Sequence, residues 1–272
     1  MLDTGEKVKK IDSKFLPDFD PNTISHLLVG VQGQGENAEI FNDIEGNTAS
    51  GDYSHAEGHD THAIGRYSHA EGIETFAYGE YSHAEGGNNY VTANIDLSGV
   101  AGTTVYTSQT DLKVGSVLAH NDVYAIITDV VHDPETGVYN VTLNKTLSGY
   151  SEMVNVTVKL YDHVASGNYA HVEGHRNLAL GESSHAEGVY TTASGSCSHT
   201  EGNGTKATGS YSHAEGSGTE ATGNQSHAEG SQTKSIGNYS HTEGYLTSAS
   251  GLQAHAEGNW TGAGGESSHA EG

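Results

Sequence analysis

The sequence predicts an all-β chain: a parallel β-solenoid of 14-residue coils interrupted by one small antiparallel β-domain. Three observations carry this expectation. The pentapeptide Ser54-His55-Ala56-Glu57-Gly58 returns, with small variations, in eleven copies. Within each of two runs the copies are 14 residues apart without slippage. Between the runs, residues 88–162 lose the period and gain β-branched runs. A short fixed period is the mark of stacked coils, each burying its face against the next.

Composition narrows the possibilities further. The 272 residues include 37 Gly but only 4 Phe and 1 Trp, and the formal net charge is −24. Low hydrophobicity with high charge ordinarily points to disorder. Here the strict register overrides that reading, because a disordered chain has no reason to keep it. The acidic balance argues against nucleic acid and anionic membranes as partners, since both recruit Lys and Arg patches. No stretch approaches the length of a membrane span, and Met1-Leu2-Asp3-Thr4-Gly5 does not open a signal peptide. Cys197, the single cysteine, rules out an intrachain disulfide framework and reads as a small filler at a variable repeat position.

Taken in order, residues 1–39 form an arm and a lead-in. The arm gathers Lys7, Lys9, Lys10 and Lys14 beside the apolar anchors Ile11, Phe15 and Leu16, with Pro17 following. It reads as an extended segment suited to attachment. Leu27-Leu28-Val29-Gly30-Val31 is strand-like, and Asn47-Thr48-Ala49-Ser50-Gly51 already has the pattern of the later coils. The solenoid is therefore expected from about residue 40, with a first block over 40–87 and a second over 163–272.

Each repeat reads as two short strands and two turns. One strand is x-Ser-His-Ala-Glu and the other Thr-x-Ala-x, each ended by Gly, which tolerates the positive φ of sharp turns. Side chains alternate along a strand, so Ser and Ala fall on one face, His and Glu on the other. Fourteen residues enclose only a narrow space, so the small face is the interior. Tyr precedes His by two residues in six copies (Tyr53, Tyr67, Tyr81, Tyr169, Tyr211, Tyr239). Alternation places it on the His face, as packing.

The insert, 88–162, contains β-branched runs such as Val123-Tyr124-Ala125-Ile126-Ile127 and Tyr139-Asn140-Val141-Thr142-Leu143, with a turn signal at Asp133-Pro134-Glu135-Thr136-Gly137. A barrel or sandwich of five to seven antiparallel strands is expected. Its ends must lie close together, because the period resumes.

With these residues in view, the repeat resembles the head repeat of YadA-like trimeric autotransporter adhesins, which pairs Ser-x-Ala-x-Gly with a following Ala-x-Gly. That resemblance implies a left-handed parallel β-roll and three chains about a threefold axis. The Ser-His-Ala-Glu-Gly form is similar to shaft repeats of phage tail proteins. The lysine, isoleucine-aspartate and leucine-proline stretch resembles the start of receptor-binding proteins of phages that infect Gram-positive bacteria. These likenesses imply an adhesive tail-fibre shaft on a virion or other extracellular surface. Its partners would be other copies of itself, tail or baseplate proteins at the N-terminus, and a host glycan or receptor. The head of an autotransporter adhesin and a polysaccharide-depolymerising tailspike are the alternatives. The chain stops at the end of a motif without a cap, so a fragment or cleaved product is expected.

The candidate site is the ladder of outward residues: His55, Glu57, His69, Glu71, His83 and Glu85 in the first block, then His171, Glu173, His185, Glu187, His199, Glu201, His213, Glu215, His227, Glu229, His241, Glu243, His255, Glu257, His269 and Glu271. In the adhesin heads the equivalent positions, usually Val and Ile, help bury the trimer interface. An inter-chain His–Glu network is the leading expectation, because buried carboxylates need partners. A solvated outer face and axial ions held by imidazole and carboxylate are the other readings. Eleven equivalent sites are architecture rather than an active centre. No phosphate-binding loop or nucleophile elbow accompanies them, so no catalysis is expected, and no cofactor beyond such ions.

Overall fold

Every coil of this chain is a flattened loop with a short strand on each side, and the loops stack in register. The computed structural model describes residues 31–41, 46–87, 91–97, 104–107, 112–120, 123–135, 139–144 and 153–272. One side builds a thirteen-stranded sheet from the His strands and the other an eleven-stranded sheet from the Ala strands. All pairs within both sheets are parallel except the first, where Val31–Gln32 folds antiparallel onto Glu39–Phe41. That hairpin covers the edge of the first coil, where unpaired backbone would otherwise face water.

The interior is as thin as the sequence requires. Ala56, Ala63, Ala70 and Ala77, from alternate sides, are fully buried, with Thr61 and Thr75 beside them. The motif serine caps its own turn: Ser68 Oγ donates to the Gly65 carbonyl at 2.6 Å, and Ser212 does the same to Gly209. This gives a buried hydroxyl its obligatory partner.

The two glycines of the repeat have different reasons. Gly72, which ends the motif, has φ +109°, and a Cβ there would overlap the carbonyl of Gly86 in the next coil. Gly65, four residues before His69, has no positive φ. It is excluded from being anything else only because a Cβ would overlap the Gly79 carbonyl. The turn argument therefore holds for the first position and stacking explains the second.

Left-handed backbone near φ 55–60° falls mostly on residues with side chains, with Gly204 and Gly218 the exceptions. Tyr67 (φ 58°) and Glu74 (φ 56°) mark two positions that recur along the stack. The reversed peptides explain why this conformation persists. Strand N–H groups donate to the following coil, as His69 N does to the Ser82 carbonyl at 2.9 Å. Tyr67 N and Glu74 N donate backwards, to the Asp52 and His59 carbonyls, both at 2.8 Å. Each coil is thus bonded in both directions, which offsets the local strain.

Tyrosine accordingly lies in a turn and not on the His face. The strand begins at His, so alternation does not extend back two residues. Tyr53, Tyr67, Tyr81 and Tyr169 form their own stack, with centroids 5.0, 4.8 and 5.0 Å apart. Cys197 occupies the same turn position and is exposed rather than filling space.

The insert is a closed six-stranded antiparallel barrel. Its order is Thr104–Thr107, Tyr139–Leu143, Val123–His132, Val117–His120, Met153–Tyr161 and Val91–Leu97, which pairs back to the first. The solenoid continues across it as though nothing intervened: His171 pairs with His83 and Glu173 with Glu85. Inside the seam, His163 stands where most other coils have Thr and where the next coil has Asn177. Its Nε2 lies 3.0 Å from the Glu85 carbonyl, and its Nδ1 is 3.2 Å from the Asn177 N–H.

The barrel is seated on the outer face of the Ala-strand sheet. Phe76, Val164 and Leu178 from the solenoid form one buried cluster with Val117 of the barrel, flanked by Ile64, Leu180, Tyr124 and Ile126. Beside it, the buried Asp162 accepts from Arg176 Nε at 2.7 Å and lies 3.7 Å from Lys113 Nζ.

Candidate functional site: a continuous histidine and glutamate face

The outward positions of the His strands form one uninterrupted column. Strand alternation buries the intervening Ala and leaves His and Glu half-exposed. Parallel pairing in register then sets each His over the next. Ring centroids are 4.7–4.9 Å apart along the whole series from His55 to His269. Most rings are nearly parallel; His55 alone stands edge-on to its neighbour, at 85°. All twenty-two residues expected on this face share it, and the two sequence blocks form a single ladder about 48 Å long at the parallel-strand spacing.

Within the chain seven of the imidazoles, those of His55, His69, His171, His185, His213, His227 and His255, turn toward a carboxylate of their own coil. His69 Nε2 is 3.6 Å from Glu71 Oε2, and His213 Nε2 is 3.9 Å from Glu215 Oε2. These separations exceed a hydrogen bond. Nine of the eleven Nε2 atoms are shielded from solvent and have no hydrogen-bond partner. At the end of the stack, His269 Nε2 reaches back to Glu257 Oε1 at 3.4 Å.

Burial, and then the neighbouring imidazoles, push His69 down to about 4. The same causes depress His83, His185, His213 and His241. These five rings are neutral at pH 7, so they do not offset the carboxylates as cations. Among the described residues no Lys or Arg forms an ion pair with a ladder Glu; the charged pairs of the solenoid, such as Lys234 with Glu220 at 3.2 Å, lie on the other sheet.

The chemistry of this face is that of a long row of carboxylates and neutral imidazoles. Groups such as His171, Glu173 and His185, or His213, Glu215 and His227, bring one ligand atom from each residue within 4.8 Å of the others.

The seat of the barrel is the functional feature that repeat analysis misses. Its signal is present in the sequence. The outward positions of the Ala strands read Phe76, Val164 and Leu178 where the barrel docks, then Thr192, Lys206, Glu220 and Lys234 beyond it. Large apolar residues at a position that is elsewhere polar mark a covered stretch. Ile11, Phe15 and Leu16, the expected attachment residues, lie outside the described residues.

No family model matches the chain, and no curated protein matches it. A β-solenoid fold is typical of fibrous and adhesive shafts.

Proposed function

We propose that the chain is the shaft of a homotrimeric fibre of the phage tail-fibre or receptor-binding type, with three His/Glu faces meeting along the axis. The observation that carries this reading is the opposition of the two solenoid faces. The Ala-strand face carries the barrel at the coils of Phe76, Val164 and Leu178, whereas the His-strand face has no lateral cover among the described residues. Threefold packing on the uncovered face leaves the barrels pointing outward, where they are placed to meet a host glycan or receptor. The half-exposed His and Glu side chains of this face are the groups that facing copies would cover. The likeness of the repeat to trimeric adhesin heads and phage shaft repeats supports the same arrangement. The basic, proline-ended arm is then the particle-proximal end.

Light scattering on the chromatographed protein tests the assembly: the expected mass is three times the 28.4 kDa of one chain, and a monomer overturns the reading. Glu215→Lys with Glu229→Lys, which set like charges against each other near the axis, are expected to dissociate the trimer while a solenoid circular-dichroism spectrum is retained. For the adhesive role, labelled trimer is expected to sediment with Gram-positive cell walls, and its failure to do so on any wall preparation removes that part of the proposal.

A further inference from the structure

The ladder holds more carboxylates than its own chain can compensate. Eleven Glu stand one per coil, with no Lys or Arg in ion-pair reach among the described residues. Like charges at this spacing repel by about 1 kcal/mol per neighbour even in water, and by more at a half-buried surface. The neighbouring groups are imidazoles, most with a shielded Nε2 that has no hydrogen-bond partner. A row of anions interleaved with neutral nitrogen donors suits one class of ligand.

We propose that the His/Glu face binds first-row transition-metal dications, zinc above all, in His–Glu–His groups made from two successive coils. The donor set is two neutral imidazole nitrogens and one carboxylate oxygen, with a second carboxylate or water completing four ligands. Imidazole and carboxylate together favour Zn²⁺, Ni²⁺ or Cu²⁺ over Ca²⁺ and Mg²⁺, which prefer oxygen alone. Two carboxylates also match the charge of the ion.

The geometry is near to what is needed. Donors on one tetrahedral zinc sit about 3.4 Å apart, and here the three atoms of a group lie within 4.8 Å. Closing that gap takes rotations of side chains that are about one-third exposed. The backbone needs no movement, because parallel pairing already fixes the spacing of the coils. Each His serves one ion, so eleven histidines taken two at a time hold at most five ions. Ions then sit in every second gap between coils, roughly 10 Å apart, twice the strand spacing, which keeps dications apart. Every group is complete within one chain, so the inference stands whether or not the chains trimerise.

The test uses the full chain, stripped with a chelator and dialysed against Zn²⁺ at pH 7.5. The expected result is several zinc ions per chain with a ceiling of five, and no comparable uptake of Ca²⁺ at the same concentration. Replacing His213, His227 and His241 with Val leaves runs of six and two histidines and is expected to lower the ceiling by one ion, to four. Val suits a strand, and circular dichroism with light scattering establishes that the variant folds and assembles as the parent does. Cobalt(II) substitution should give visible absorption typical of imidazole ligation, weakened in the variant. Less than one ion per chain, equal uptake of Ca²⁺, or an unchanged ceiling in the variant each overturns the proposal. Because chain mass is read separately, failure to bind metal leaves the trimer reading standing, and failure to trimerise leaves this one.

Discussion

His163 Nε2 donates a hydrogen bond to the backbone carbonyl of Glu85, 78 residues earlier in the chain, at 3.0 Å. The assignment of donor follows from the other nitrogen. Nδ1 lies 3.2 Å from the Asn177 N–H, which can only donate, so the ring is the neutral tautomer. This bond closes the coil across the point where the barrel is inserted.

Burial pushes His163 down to about 4 from an ordinary 6.5. A lowered folded value means that the unfolded chain binds the proton first. Stability is therefore full above about pH 6.5, declines as pH falls toward 4, and is constant in this respect below it. The expected loss from this residue is about 3 kcal/mol. His163→Asn should retain the bond and remove the titration, because Asn177 in the next coil donates its amide to the Glu173 carbonyl in the same way. Urea midpoints at pH 7.5 and 4.5 check this: the difference should shrink in the variant.

A similar contrast applies to glycine. Gly209 has no positive φ, and a Cβ there would overlap the Gly223 carbonyl. Gly209→Ala forces two coils apart and is expected to destabilise by about 3 kcal/mol, as overpacking does. Gly262, in an Ala strand, has its nearest obstacle at 4.0 Å and no positive φ. Gly262→Ala should be neutral or stabilise by about 0.5 kcal/mol, through the unfolded chain. Thermal melting of the two variants separates the steric role from the conformational one.

Most of this architecture was legible because one pattern repeats without error. The alternation of Ser and Ala with His and Glu determines which face is inside, and the 14-residue period determines what stacks on what. The small interior follows from both. Tyr67 was not legible, because strand alternation gives no warning that the chain enters a left-handed turn just before the motif. Glu74 and Trp260 share that difficulty: nothing in their side chains announces a positive φ, which their backward hydrogen bonds explain. The barrel's seat was written at Phe76 and Leu178, but as a departure from the repeat, and a search for regularity passes over departures. The ladder residues were all identifiable. What they meet beyond their own chain is a property of assembly and not of one coil.

Phe76 is fully buried between the solenoid and the barrel, in ring contact with Tyr124 at 5.1 Å and His62 at 4.4 Å. Phe76→Ala removes the largest fully buried side chain of that seat at a cost of about 3–5 kcal/mol. The coils beyond the seat carry their own Ala interior, such as Ala207, Ala214, Ala221 and Ala228, and do not depend on it. Limited proteolysis should therefore release the barrel region in the variant while leaving a resistant fragment from the distal coils. Simultaneous loss of both would show that the barrel and shaft fold as one unit.

Acid should act on the ladder with the same sign as on His163, but through many small increments. Burial and neighbouring imidazoles lower His69, His83, His185, His213 and His241, so each resists protonation more in the folded chain than in the unfolded one. Stability should fall as pH drops below about 6.5. In the proposed trimer, stronger acid also neutralises the carboxylates that hold the axis together. The two steps are separable by measurement. Urea midpoints of the chain report the first, and mass by light scattering reports the second. Replacing His213, His227 and His241 with Val should flatten the first dependence, because a stack with fewer imidazoles has fewer sites that fold in the neutral state. A parent chain whose midpoint is the same at pH 7.5 and 4.5, or a trimer that persists unchanged at pH 3, would contradict the corresponding step.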